Sequence, residues 1–363
     1  MRVQRVVMPV TNAESWTVVD DDCRPEPAIE QYLAYLAAVE RSPNTVRAYA
    51  TSLELWFEFL AGVDVGWAGA SADDVARFVS WLRAPAPNVV VLENGLGRRS
   101  PATVNRHLAG VFGFYDHQAR GGVGLAATLV AWRRVNRGSY KPFLHHVTKG
   151  KPVPTRPIKL TVPRRAPRTL EAEQVVAILA ACQRWRDRFL MALLAETGLR
   201  IGQALGLRHA DFVSRDKELH IVPRTDNANG ARAKVAMVTV VPVSAPLVRL
   251  YSEYMHTEYG ELGSDYVFVN LWGGRRGAPM SYATVDKLVA RLSACSGVSF
   301  SAHMLRHTHA TDLVRRGVPI EVVARLLTHR SSRTTSETYV HLDTADIRRA
   351  LEAAGAWSAE AAL

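Results

Sequence analysis

The chain is poor in cysteine. Only Cys23, Cys182 and Cys295 occur in 363 residues, far apart and in no Cys-x-x-Cys pair, which excludes a disulfide framework and a cysteine zinc site. Long apolar runs are missing as well. Val235 to Val248, broken by Pro242 and Pro246, and Gly121 to Trp132 fall short of the roughly 18 residues that a membrane span requires. The N-terminal MRVQRVVMPVTNAESW has too short an apolar stretch for a secretory signal, so a soluble cytoplasmic protein is expected. Composition is ordinary for a globular chain, 48% apolar and 22% charged, and the length suits about two domains.

Acidic residues are missing from one place. Between Arg133 and Arg168 stand eleven basic residues and no acidic one, while the rest of the chain balances at 34 of each sign. The formal net charge of +11 is therefore the charge of one segment. That segment also holds six prolines and little periodicity, the composition of an extended linker. One reading is a solvated tether whose charge only aids solubility. The charge suits a polyanionic partner, nucleic acid or an acidic membrane surface, and the sharper reading is a strap that tracks a phosphate backbone, with Arg133, Arg134, Arg137, Lys141, Lys149, Lys151, Arg156, Lys159, Arg164 and Arg165 as its contacts.

Periodicity divides what remains. Ile29, Leu33, Leu36 and Val39 recur at helical spacing, as do Val46, Tyr49, Leu53, Trp56 and Leu60 after Ser42-Pro43-Asn44-Thr45, where Asn44 is the expected cap. Ser71 with Asp74 opens a third helix, and Ser100-Pro101 opens a fourth through Val104, Leu108, Val111 and Tyr115. After the linker the pattern is mixed: helices near 170–182 and 186–196, then a strand pair, 219–222 and 236–241, flanking a loop that contains Asn229-Gly230, a favourable hairpin turn signal. A short strand at 266–270 and helices near 282–293, 304–316, 319–327 and 344–354 follow. The expected organisation is an N-terminal extension (1–25), an all-α domain (26–130), a basic Pro-rich linker (131–168) and a mainly helical α+β domain with a small antiparallel sheet (169–363).

The second half concentrates its chemistry in short stretches: Glu196-Thr-Gly-Leu-Arg200 continuing to Asp211, Arg232-Ala-Lys234, His303-Met-Leu-Arg306-His307, and Leu327-Thr-His329 leading to Tyr339. His303 and Arg306 are three apart on a helix and share a face, where an imidazole and a guanidinium fork can address one anion. His303 and His307 also stand at the i and i+4 spacing of a zinc protease helix. Met304 occupies the position of that motif's glutamate, so the general base is absent. Arg200 follows a glycine able to end a helix and set the next side chain at a turn.

In this order the residues resemble the tyrosine recombinases, the phage integrase family. The resemblance covers about residues 26 to 130, where Ser42-Pro-Asn-Thr45 looks like the start of the family's core-binding domain, and about 168 to 350, its catalytic domain. It implies that Arg200 and Arg306 hold the non-bridging oxygens of a scissile phosphate and that Tyr339 is the nucleophile. His303 and His329 are then the hydrogen-bonding and proton-handling groups, and Lys234, or Arg232 beside it, the basic residue of a β-hairpin. Two positions depart from the family's pattern: Gln203 stands where an acidic residue is common, and Thr328 where a glycine precedes the second histidine; the interval from His329 to Tyr339 is also one residue longer than usual. The resemblance further implies a 3′-phosphotyrosyl intermediate formed without metal, ATP or other cofactor, and a homo-tetramer on paired DNA sites, with accessory proteins possible partners. The layout and the Asp226-to-Arg232 hairpin look most similar to transposase-type recombinases of mobile elements. Two alternatives share these residues: a DNA-binding regulator that does not cleave, and a type IB topoisomerase-like enzyme that reseals the same strand.

Overall fold

The computed structural model describes residues 1–7, 14–84, 99–121, 158–163, 167–233, 235 and 237–328, together with the backbone of 131–133 and 153–155. The chain divides into two compact units, Met1–Arg164 and Arg165–Leu363.

Among the described residues unit 1 has four α-helices: α1 (Pro27–Ala38), α2 (Pro43–Gly62), α3 (Ala72–Arg83) and α4 (Pro101–Arg120). Helices α2 and α4 open alike, with Ser-Pro-x-Thr. Ser42 and Ser100 accept hydrogen bonds from the Thr45 and Thr103 backbone N–H groups at 3.2 and 3.3 Å. Pro43 and Pro101 follow at the start of each helix, where a missing N–H costs nothing. The cap of α2 is thus Ser42 and not the expected Asn44. A proline disfavours helical backbone in the residue before it, so the extended cap conformation falls on Ser42. The Ser71–Asp74 capping box of α3 forms in both directions.

The apolar stripes meet in one core, in which Leu33, Leu53, Trp56, Phe78, Leu108 and Phe114 are buried. A polar chain runs through it: Trp56 Nε1 donates to the Tyr115 hydroxyl at 3.1 Å, which donates to the Trp67 carbonyl at 2.7 Å. The first residues carry structure that periodicity did not announce. Strands β1 (Arg2–Val7) and β2 (Glu14–Val19) pair antiparallel and pack on α2, burying Val18 completely. Within the basic segment, β3 (Ala131–Arg133) pairs antiparallel with β4 (Val153–Thr155). Further on, Ile158 and Leu160 pack against the helical core. Asn105 of α4 holds Leu160 from both sides, its Oδ1 accepting from the Leu160 N–H and its Nδ2 donating to the Leu160 carbonyl, each at 2.8 Å.

Unit 2 contains α5 (Ala172–Ala180), α6 (Trp185–Thr197), α7 (Ile201–Leu205), α8 (Ala245–Tyr254), α9 (Tyr282–Ser296), α10 (Ala302–Arg315) and α11 (Ile320–Leu326). Helix α6 is the centre: Phe189, Leu190, Met191, Leu193 and Leu194 are all fully buried, the pattern of a helix surrounded by protein. Its first backbone N–H groups are satisfied by Glu258, which accepts from Trp185 and Arg186 at 3.1 and 3.0 Å.

A three-stranded antiparallel sheet, β5 (Phe212–Val213), β6 (Glu218–Ile221) and β7 (Thr239–Pro242), lies in the same unit, with Leu219 opposite Val241. Strands β6 and β7 pair antiparallel across a long connection that contains Asn229-Gly230, as expected. Gly230, at φ 68°, ends a turn in which its N–H donates to the Asn227 carbonyl at 2.8 Å. That connection is pinned to its own unit, because Asn229 Nδ2 donates to the carbonyls of Leu205 and Met280 at 3.0 and 2.8 Å. Residues 266–270 form isolated bridges, Arg208 to Tyr266 and Val269 to Pro279, in place of a full strand. The helix expected at 344–354 lies outside the described residues.

Candidate active site

Helix α6 ends at Gly198 in the left-handed conformation, φ 62° and ψ 21°. A Cβ there would meet the His309 ring at 2.7 Å and a Leu327 methyl at 2.9 Å, so conformation and space both demand glycine. Two residues later Arg200 has extended backbone and caps α7, its N–H donating to Gln203 Oε1 at 2.8 Å. The Arg200 guanidinium donates from Nη1 to Thr328 Oγ1 at 3.0 Å. Gln203 Nε2 donates to the same oxygen at 2.9 Å.

Arg306 comes from α10 and is only 1% exposed. Its Nη1 donates to the Gly198 carbonyl and its Nη2 to the Leu327 carbonyl, both at 2.6 Å. Two charge-assisted bonds from one planar fork fix the guanidinium plane as well as its position. Both arginines therefore reach the end of α11, Arg306 at Leu327 and Arg200 at Thr328, the residue just before His329.

His303 precedes Arg306 by one turn. Partial burial, then the positive charges of Arg306 and Arg200, hold its imidazole below the usual histidine value, so it is neutral at pH 7. Its ring meets His307 edge to face at 4.4 Å between centroids. Burial, with His303 and Arg306 adding to it, pushes His307 down to about 4. His309, packed on Gly198, is also pushed down to about 4, mainly by burial and then by Arg306. Among the described residues no three His, Cys, Asp or Glu side chains converge as metal ligands.

The Arg232 segment lies directly on α7. A Cβ at Gly202 would come within 2.7 Å of the Arg232 carbonyl and 2.4 Å of the Tyr282 hydroxyl. Ala231 and Ala233 are buried on either side of a half-buried Arg232. Lys234, His329 and Tyr339 lie outside the described residues. So do Arg134, Arg137, Lys141, Lys149, Lys151, Arg156, Arg164 and Arg165 of the linker. Arg133 is on β3, and Lys159 is exposed between the docked Ile158 and Leu160.

Some residues that shape the site went unremarked as such in the sequence. Asp211 is 3% exposed and anchors the segment after α7: it accepts two bonds from Arg224, at 2.6 and 2.7 Å, and one from the Arg208 N–H at 2.9 Å. Glu196 accepts from the N–H and hydroxyl of Ser244 at 2.6 and 2.7 Å, seating α8 on the last turn of α6. The Arg224 and Ser244 contacts join residues 13 and 48 apart, which no local spacing reveals.

Two arginines from separate helices, one bonded to the Gly198 carbonyl and one capping the helix that follows that turn, form a positively charged site able to bind an anion. The sequence pattern described as "Phage integrase family" matches residues 168–346, and that of "Phage integrase, N-terminal SAM-like domain" matches 29–122. Transposase A from transposon Tn554 of Staphylococcus aureus is 36% identical over 350 residues, covering 96% of each chain. In fold, unaided by sequence, the chain is similar to the Tn1549 transposon integrase in complex with transposon right end DNA, at TM-score 0.62 and 15% identity over 90% of this chain and 99% of that one. A lambda integrase tetramer bound to a Holliday junction is similar at TM-score 0.55 and 17% identity, over 86% and 76%. The chain belongs to the phage integrase family and is a tyrosine recombinase, an enzyme that cleaves and rejoins DNA.

Proposed function

We propose that the chain is the site-specific recombinase of a mobile element, and that Arg200, Arg306, His303, His329, Lys234 and Tyr339 carry its chemistry. The observation that supports this reading is the convergence of Arg200 and Arg306, from separate helices, on the Gly198 turn and the Leu327–Thr328 peptide.

A phosphodiester is anionic, and charge grows on its oxygens as phosphorus becomes five-coordinate. Two guanidiniums held in place before the reaction stabilise that charge without reorganising. Tyr339 would attack phosphorus, and its phenol, ordinarily near pKa 10, needs a proton acceptor close by. A neutral His303 is able to accept a hydrogen bond, and His329 would be its companion. Lys234, with Arg232 the alternative donor, would protonate the departing 5′ oxygen. One phosphoester then replaces another, so the bond energy is kept in a 3′-phosphotyrosyl link. A 5′ hydroxyl from another strand would release Tyr339 and join new partners.

Residues 26–130 would bind the duplex, and 131–168 would follow its backbone through Arg133, Arg134, Arg137, Lys141, Lys149, Lys151, Arg156, Lys159, Arg164 and Arg165. Residues 169–363 would form the catalytic domain. Four copies would act on two paired DNA sites, as the lambda integrase tetramer suggests, and the work would be done at the nucleoid in the cytoplasm. Among the described residues no helix is long and apolar enough to cross a membrane.

The test is incubation with nicked duplexes from the DNA flanking the gene, followed by SDS electrophoresis. A covalent protein–DNA band is expected from the wild type and none from Tyr339→Phe, with equal gel shifts. An adduct that survives the substitution would refute the role of Tyr339.

A further inference from the structure

Gln203 and Thr328 stand 125 residues apart in sequence and are hydrogen-bonded to each other. They are the two positions at which the motifs depart from the family's pattern. The bond is one of three that are linked. Gln203 Oε1 accepts from the Arg200 backbone, Gln203 Nε2 donates to Thr328 Oγ1, and Arg200 Nη1 donates to that same oxygen. The backbone and the side-chain tip of Arg200 are thus fixed by one pair of residues, both buried, at 2% and 9% exposure.

The backbone of Thr328 makes this arrangement more than good packing. Its φ is 54°, in the left-handed region just past the C-terminus of α11, where glycine is favoured and a β-branched residue is crowded. A side chain kept at a position that disfavours it needs an offsetting interaction, and the hydroxyl supplies two hydrogen bonds. Charge matters too. A carboxylate at 203 could accept from the Arg200 N–H just as well, but it would not donate to a hydroxyl oxygen and would set a negative charge beside the guanidinium. The amide does both tasks while staying neutral.

We propose that Gln203 and Thr328 are positioning residues: a neutral bracket that aims the Arg200 guanidinium at the scissile phosphate and brings no negative charge of its own to it. The proposal rests on the reading of Arg200 as a phosphate ligand. It separates Thr328 into two independent parts, a strained backbone and a working hydroxyl, which three substitutions resolve. Thr328→Gly removes both strain and hydroxyl, Thr328→Ala removes the hydroxyl and keeps the strain, and Thr328→Ser keeps the hydroxyl.

The experiment measures single-turnover formation of the covalent adduct on the nicked duplex, DNA affinity by gel shift, and thermal unfolding of the full chain. Adduct formation is expected to slow by tenfold or more in both Thr328→Gly and Thr328→Ala, with affinity within about twofold of wild type. Thr328→Ser is expected to stay within about threefold of the wild-type rate. Stability should follow strain instead, with Thr328→Gly melting above Thr328→Ala. A second substrate isolates Arg200: on a scissile methylphosphonate, where a methyl replaces one charged oxygen, the penalty of Thr328→Gly should shrink for the stereoisomer that loses the oxygen facing Arg200. Equal rates for wild type and Thr328→Gly would overturn the proposal, as would Thr328→Ser as slow as Thr328→Ala, or a penalty unchanged on both methylphosphonates. An absence of adduct from the wild type on every flanking duplex would overturn the underlying reading along with it.

Discussion

Arg306 donates to the carbonyl of Gly198 at 2.6 Å across 108 residues of sequence. The same peptide that turns the chain toward Arg200 therefore holds the other arginine, so the position of the Arg306 guanidinium is set by backbone carbonyls. The second bond of Arg306, to Leu327, extends that control to the segment that leads into His329. Stability and site geometry rest on the same few bonds here.

Gly198→Ala should damage both. The left-handed conformation costs a non-glycine residue about 1–2 kcal/mol. The overlap with His309 and Leu327, at 2.7 and 2.9 Å, forces a shift of packed groups that typically costs about 1–3 kcal/mol more. Thermal unfolding should show a drop of several degrees, and adduct formation should fall further than DNA affinity. An unchanged melting temperature would mean that the turn relaxes freely, contrary to this packing.

Acid should destabilise both units. His107 in unit 1 and His307 and His309 in unit 2 are pushed down to about 4, chiefly by burial, from an ordinary value near 6.5. Their folded-state values are lowered, so on acidification the unfolded chain takes up protons first. The stability these neutral rings contribute is present above about pH 6.5 and is lost as pH falls toward 4. Asp312, whose carboxyl is raised by burial, works in the opposite sense near the bottom of that window. Melting temperature should decline between pH 7 and 5, and less steeply in His309→Asn. A flat profile over that range would contradict the burial of these rings.

Asn105→Ala should loosen the end of the basic linker. The side chain makes two bonds to Leu160, each worth about 1 kcal/mol by ordinary hydrogen-bond energetics. Amide exchange at Leu160 should accelerate at least tenfold while the α2 core keeps its protection. Lys159→Ala, beside it, should leave exchange alone and reduce the salt dependence of DNA binding by about one ion. If Leu160 exchanges no faster in Asn105→Ala, the apolar contacts of Ile158 and Leu160 hold the segment by themselves.

Much of this was legible in the sequence, and the legible part has a common physical character. The capping box at Ser71 and Asp74, the apolar stripes of α1 to α4 and the i, i+3 pair His303 and Arg306 are all relations between residues within one or two turns. Local backbone geometry dictates such relations, so a periodicity is enough to read them. The cap of α2 was misplaced by two residues because the proline rule outweighs the preference of asparagine for caps. The Asn-Gly signal correctly marked a turn between two paired strands, but not what holds it: side chains of Asn227 and Asn229 tie that turn to Ala231, Leu205 and Met280.

The sequence by itself determined that the chain is two-part, that its excess charge lies in one segment, and that arginines, histidines and a tyrosine follow in the order of a phosphate-handling family. Tertiary structure alone decided that Gly198 receives Arg306, that Thr328 receives both Arg200 and Gln203, that Asn105 grips Leu160, and that the first strands close against α2. Each of these joins residues distant along the chain or depends on what an apolar face packs against. Their energies come from burial and from desolvated hydrogen bonds, which exist only after the backbone has brought the partners together.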